Sequence, residues 1–91
     1  MSTKFRMLIA NIYSLPSGPA VSGRIESGGV RVGDDLVVVG ALGRIPVRVT
    51  FIQKFHEALS EAVASPEPIA ITLSGIEWDQ IRNRDLLVSG E

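Results

Sequence analysis

The sequence predicts an all-β domain, either a barrel or a sandwich, from two observations. Glycine and proline recur at short intervals, at 16–19, 28–29, 33–35, 40–43 and 66–68. Short runs rich in β-branched residues lie between them, which is typical of antiparallel strands joined by tight turns. A chain of 91 residues and 9.8 kDa is long enough for one domain, so residues 1–91 are assigned to a single unit.

We expect strands over 5–14, 20–26, 30–32, 35–39, 44–55, 69–74 and 86–88. The first strand is apolar on both faces: Phe5, Met7, Ile9 and Tyr13 share one face, and Leu8, Ala10 and Ile12 share the other. Such a strand is covered on both faces or packs against something outside the domain. The apolar run 36–39 likewise predicts a strand buried on both faces.

The long strand 44–55 shows a clear alternation. Ile45, Val47, Val49 and Phe51 alternate with Pro46, Arg48, Thr50 and Ile52. Pro46 lacks an N–H, so it is expected at the strand start or at a sheet edge. Segment 54–64 is ambiguous, because Phe55, Leu59 and Val63 have helical spacing and its alanines and glutamates favour a helix. Residues 77–82 also have a short helical pattern.

Composition excludes several classes of function. Nine Lys+Arg against ten Asp+Glu give a net charge of −1, whereas proteins that bind nucleic acid through phosphates usually carry a basic excess. The absence of cysteine excludes disulfides and thiolate sites and fits a reducing cytoplasm. No apolar run approaches the ~20 residues of a membrane span, and residues 1–4 do not resemble a signal peptide. We therefore expect a cytoplasmic protein without membrane contact.

Catalytic and metal-binding patterns are not found. Residues 18–23 and 23–28 have the glycine spacing of a phosphate loop, but the Lys-Ser/Thr pair that the loop requires does not follow. His56 is the single histidine, too few for a zinc site, and no nucleophile pattern accompanies it. Asp34 and Asp35 fit turn chemistry better than a cation loop. No catalytic residue, metal or cofactor is therefore expected.

Trp78 and the dispersed basic residues are the remaining candidates for binding. A lone tryptophan beside a polar helical turn either caps the end of the barrel or anchors a partner, and we favour the cap. Arg24 and Arg48 lie on predicted strands, where they could contribute to a small RNA-facing stripe or to a solvated exterior.

Two segments, 5–16 and 20–36, closely resemble the second domain of elongation factor Tu and related translational GTPases. The most specific part is Ser22-Gly23-Arg24-Ile25-Glu26, followed by Gly28 and by Val32-Gly33-Asp34. The resemblance continues through 47–55, 69–75 and 85–87. It implies a closed Greek-key β-barrel of six or seven strands, and strand and loop rather than helix over 54–64. The GTP-binding domain of that family is absent from these 91 residues, so the resemblance implies no GTP binding by this chain alone.

In that family, part of this domain receives the aminoacyl end of tRNA. Here Ala10 and Asn11 replace the acidic pair of the first strand. Tyr13 still supplies an aromatic side chain nearby, and Ser22 replaces the threonine that precedes Gly-Arg. Charge is also lost or reversed at Lys54, at Glu57 and in the loop 64–68. The resemblance thus implies a retained fold and a largely lost tRNA site. Arg84 replaces a glycine before the last strand, so that turn is expected to differ.

These observations favour a non-catalytic binding module in a translation-related context, with a protein partner or self-association as the leading hypothesis. Residual RNA, tRNA or ribosome binding through Tyr13, Ser22, Arg24 and Arg48 is the alternative, and Trp78 is the fifth candidate binding residue. A third hypothesis is that the chain is a piece of a larger GTPase, against which its Met-Ser-Thr-Lys start argues mildly.

Overall fold

The computed structural model describes residues 4–55 and 57–89. Within them it has eleven β-strands and one 3₁₀ turn (Trp78–Gln80), which confirms the all-β prediction. The strands are β1 (Arg6–Leu8), β2 (Asn11–Leu15), β3 (Gly18–Gly23), β4 (Ile25–Ser27), β5 (Gly29–Arg31), β6 (Asp35–Gly40), β7 (Gly43–Lys54), β8 (Glu57–Leu59), β9 (Glu61–Val63), β10 (Ile69–Ser74) and β11 (Leu86–Ser89). No helix in this part of the chain is long and apolar enough to cross a membrane.

Nine strands form one antiparallel sheet in the order β2-β3-β10-β7-β6-β11-β1-β4, with β8 paired to the end of β7. β5 and β9 form a separate two-stranded sheet. The hydrogen-bonded path begins at β2 and ends at β4, so the strand pairing does not by itself close a barrel. However, β2 directly follows β1 in the chain, and β4 directly follows β3.

The inner face of the sheet holds one continuous apolar core. Its most deeply buried side chains come from strands across the whole path: Met7, Ile9, Val21, Val38, Val49, Ile52, Ile71, Leu73 and Leu87. Burial of these aliphatic groups supplies the main driving force for folding, since the chain has no cysteine. The core leaves the outer surface to carry any binding function.

Several strands are interrupted where the sequence pattern predicted continuous ones. The predicted first strand is divided into β1 and β2, and the second into β3 and β4. Segment 54–64 forms β8 and β9, so the helix suggested by its spacing is wrong and the strand implied by the resemblance is confirmed. The predicted helical pattern at 77–82 shrinks to the single 3₁₀ turn. Eleven short strands therefore replace the expected six or seven.

The prediction for the position of Pro46 and the prediction for the burial of 36–39 have different outcomes. Pro46 lies opposite Val37 of β6, before the part of β7 that pairs with β10 begins at Arg48, which confirms its place at a sheet edge. The expectation that 36–39 is buried on both faces is wrong for the outer face. There Val37 and Val39 remain partly exposed, because nothing within the described residues fully covers them.

The glycine of the Gly-Arg motif has a steric role. Gly23 ends β3 where the backbone passes so close to the Leu8 carbonyl oxygen that a Cβ would overlap with it. Arg84, by contrast, adopts φ of +75°, a region that favours glycine. The turn before β11 therefore has the positive φ that favours glycine, although arginine occupies this position.

Candidate binding groove

The register of four strands brings two rows of side chains to one outer face. In the first row Tyr13 lies opposite Ala20, Ala20 opposite Thr72, and Thr72 opposite Phe51. The second row consists, in the same strand order, of Asn11, Ser22, Ala70 and Gln53. Residues from four chain segments thus share a single surface.

The first row forms a groove because its middle members are small. Ala20 and Thr72 are 4% and 5% exposed although they face outward. Tyr13, Leu15 and Phe51 flank them and remain 49%, 45% and 43% exposed. The resulting groove has a volume of ≈ 600 Å³, and among the described residues that line it none is charged. We call it the aromatic groove.

Both aromatic walls result from irregularities in the strands. The alternation of the sequence places Tyr13 and Phe51 on the same faces as core residues, and the structure places both outside. In the first strand the break between β1 and β2 changes the phase, so Ile9 and Ile12 pack inward and Tyr13 faces out. In β7 the register with β10 shifts between Val49 and Phe51, as in a β-bulge.

The bulge is held by a side-chain hydrogen bond. The hydroxyl of Thr50, the extra residue, donates to the Thr72 carbonyl oxygen at 3.2 Å. Thr50 and Phe51 therefore both face the groove, and Ile52 returns to the core with 0% exposure. Bulges often direct side chains toward binding sites in this way.

A second, more polar cavity of ≈ 510 Å³ adjoins the groove and is lined by Asn11, Tyr13, Ser22, Gln53, Phe55, Pro68, Ile69 and Ala70. Phe55 is 68% exposed and has φ of +56°, which is rare and costly for a bulky residue. The Gln53 side-chain amide donates to the Phe55 carbonyl oxygen at 3.2 Å. The backbone of Phe55 is thus strained, and its exposed aromatic ring lines this cavity.

The structure brings together only some of the five predicted site residues. Tyr13 and Ser22 line the same cavity. Arg24 lies beside them, in a third cavity of ≈ 450 Å³ that also includes Ser22 and Glu26. Arg48 lines none of these three cavities and forms an exposed ion pair with Asp35, with 3.0 Å between Nε and Oδ1.

Trp78 also lies apart from the aromatic groove. It is 56% exposed in the 3₁₀ turn, and its capping of the barrel end stays a prediction. The flanking Ile76 and Ile81, which are 6% and 3% exposed, enter the core instead. His56 lies outside the described residues. Within the described ranges no cluster of three His, Asp or Glu could hold a metal ion.

Phe51 and Phe55 line the candidate groove and its adjoining cavity, and sequence reasoning missed both. The alternation within 44–55 assigned Phe51 to the core face. The helical spacing of Phe55, Leu59 and Val63 assigned Phe55 to the apolar face of a predicted helix. The available signal was that both residues lie within 47–55, a segment covered by the resemblance. The positive φ of Phe55 and the bulge before Phe51 depend on strand pairing and become visible only in the structure.

Comparison with known proteins supports the resemblance. No family model matches the sequence. The crystal structure of the translation elongation factor SelB from Methanococcus maripaludis, in its apo form, contains a similar unit with a TM-score of 0.84 and 30% identity. It covers 94% of this chain and 18% of that protein. The bacterial selenocysteine-specific elongation factor EF-Sec matches with a TM-score of 0.84 and 24% identity over 97% of this chain and 15% of its own.

Proposed function

We propose that this chain, which resembles domain 2 of elongation factor Tu and related translational GTPases, is a non-catalytic binding module built on a closed barrel. If β1 with β2, and β3 with β4, are each treated as one bent strand, the strand order returns to its starting point after six strands. A hydrogen bond from the Ala10 N–H to the Ser22 carbonyl oxygen, at 2.8 Å, supports this closure because it joins the break between β1 and β2 to the end of β3.

The aromatic groove docks an apolar, uncharged segment of a protein partner. The observation that carries this proposal is the pair of half-exposed aromatic walls around a floor of small residues, with no charge among the described lining residues. Exposed aromatic residues are frequent anchors of protein interfaces. A phosphate backbone would instead need cations in the groove.

The context of this docking is translation. The two similar solved structures are elongation factors, and in each the matching unit is less than a fifth of the protein. In those proteins the unit therefore lies within a much longer chain. We propose that the present chain engages a protein of the translation machinery through its aromatic groove.

Paired surface variants test the docking proposal. Tyr13→Ser and Phe51→Ser remove the groove walls, and Leu42→Ser, at a 58% exposed position in the β6–β7 turn, is the matched control. Tagged variants are purified from their native source after cross-linking, and each co-purifying protein is then tested with purified components. We expect a translation protein that binds the parent chain and Leu42→Ser and loses at least about tenfold in affinity with either groove variant.

Equal binding by the groove and control variants would refute the docking proposal. Light scattering on the purified chain adds a separate arm, because a dimer dissolved by Tyr13→Ser or Phe51→Ser would identify a second copy as the occupant. Capture of RNA in place of protein, with affinity falling steeply as salt rises, would transfer the assignment to the nucleic-acid alternative.

Residual RNA binding is the second candidate because of one observation. Arg24 and Ser22 line the same cavity, next to the one that Tyr13 lines. A base could stack on Tyr13 while Arg24 meets a phosphate. Titration with tRNA at low salt tests this, and Arg24→Gln should then weaken binding more than Arg31→Gln does. Absence of binding at low salt would eliminate this candidate.

A further inference from the structure

A cavity of ≈ 400 Å³ lies away from the aromatic groove and shares no residue with it. It is formed by the chain around β1, by β4 and β11 and by the start of β7. Its lining contains three basic side chains, two serines and two apolar residues: Lys4, Arg6, Arg44, Ser27, Ser89, Phe5 and Val88. No carboxylate is among these described lining residues, so the lining contributes three formal positive charges in a chain whose net charge is −1.

Two of the three cations have no ion-pair partner among residues 4–55 and 57–89. Arg6 donates through Nε to Glu26 Oε1 at 2.8 Å. A guanidinium has five N–H donors, so its terminal nitrogens remain for another acceptor. Lys4 and Arg44 form no ion pair within the described ranges.

The position of Arg44 shows how its charge reaches the cavity. Arg44 is in β7 opposite Val39, and Val88 is in β11 opposite Val37, so β6 separates them. Both nevertheless line the same cavity. Opposite residues of an antiparallel pair share a face, so Arg44 lies on the same outer face as the partly exposed Val37 and Val39, from which a long side chain can reach the cavity.

The neighbouring acidic groups are already engaged. The adjoining cavity contains Asp34, Asp35 and Glu61. Asp34 Oδ2 accepts the Arg31 backbone N–H at 2.8 Å, and Glu61 Oε1 accepts from Arg31 Nε at 3.1 Å. Asp35 is paired with Arg48. Glu61 and Asp35 thus pair with arginines outside the basic cavity, whereas Asp34 accepts a backbone N–H, and none of the three forms an ion pair with Lys4, Arg6 or Arg44.

We propose that Lys4, Arg6 and Arg44 form a binding site for a phosphate group, carried either by an RNA backbone or by a small phosphorylated compound. Arginine and lysine donors match phosphate oxygens in charge and in number. The Ser27 hydroxyl donates to the Lys4 carbonyl oxygen at 2.8 Å, which ties the backbone of the Lys4 segment to β4. The Ser89 N–H holds the same segment through the Phe5 carbonyl oxygen at 3.1 Å.

The test is an NMR titration of the intact chain with inorganic phosphate, with sodium chloride at matched ionic strength as the reference. We expect phosphate to shift the amide signals of residues 4–6, 27, 44 and 88–89, and chloride to leave them in place. Lys4→Gln and Arg44→Gln should each weaken the phosphate affinity about fivefold, as for the loss of one exposed charge contact. Arg82→Gln, at an exposed arginine that lines neither this cavity nor the adjoining one, is the control and should leave the affinity unchanged.

A short single-stranded oligoribonucleotide distinguishes the two sources of phosphate. Tighter binding of the oligoribonucleotide than of phosphate, with a salt slope reduced by about 0.7 in Arg44→Gln, would identify an RNA backbone. Similar affinity for both would identify a small phosphorylated compound. The proposal is overturned if phosphate produces no shifts, if chloride reproduces them, or if Arg82→Gln weakens binding as much as Arg44→Gln does.

Discussion

Replacing Gly23 with alanine tests the steric explanation of the Gly-Arg motif. Gly23 joins β3 to the bend before β4, and its Cα lies against the Leu8 carbonyl oxygen at the end of β1. An added Cβ would overlap with that oxygen, which belongs to the backbone and cannot rotate away. The two bent strands would have to separate at the point where β1 pairs with β4 and β2 pairs with β3.

The expected cost follows from two opposing terms. Forcing a backbone apart in a well-packed region costs about 3 kcal/mol, the upper part of the range for overpacking. The alanine also reduces the entropy of the unfolded chain, which returns about 0.7 kcal/mol. The net loss of unfolding free energy is therefore about 2 kcal/mol, and for a chain of this length it lowers the Tm by about 10 °C.

Urea denaturation and thermal unfolding followed by circular dichroism measure this loss. Gly29→Ala is the matched control, because Gly29 also lies in a strand without positive φ and its nearest atom to an added Cβ is at 3.2 Å. We expect the control to lose less than about 1 kcal/mol. Equal losses in both variants, or a Gly23→Ala protein as stable as the parent, would refute the close-approach explanation.

Three further predictions concern stability and use the same denaturation assays. Arg84→Gly should stabilise the fold by about 0.5 kcal/mol, because relief of the positive φ outweighs the added chain entropy; a destabilised variant would contradict this. Asp85→Ala should cost about 1–2 kcal/mol, since Oδ2 of the buried Asp85 accepts the Arg82 N–H at 3.0 Å, and Asp85→Asn should recover most of it through its remaining oxygen. Arg48→Gln should cost under about 0.5 kcal/mol, because its pair with Asp35 is exposed to solvent; a larger loss would show that the pair is more than a surface contact.

The fold class could be predicted from sequence because turn residues and alternating apolar residues are local signals. Most strand positions followed from them, including β10, where Ile69, Ile71 and Leu73 alternate into the core. The facing of Phe51 could not be predicted. A bulge depends on how β7 aligns with β10, and the residues of β7 alone are compatible with a regular strand.

The candidate site was predicted in part for the same reason. Tyr13 and Ser22 were found because the resemblance matched them position by position, and strand register then brings them to adjoining rows. Ala20 and Thr72 gave no sequence signal, since small residues on an outward face ordinarily indicate only a solvated surface. Their role as a groove floor requires flanking side chains from two other strands.

The aromatic groove and the basic cavity differ in the forces that would hold a ligand, and this difference makes the two proposals separable. The groove is lined by uncharged residues, so docking there depends on burial of apolar surface and should change little as salt rises. The basic cavity depends on exposed cations, whose attraction for phosphate is screened by salt. Since the two sites share no residue, Tyr13→Ser should weaken only the salt-tolerant component of binding and Arg44→Gln only the salt-sensitive one. A single variant that weakens both components would show that one ligand spans the two surfaces.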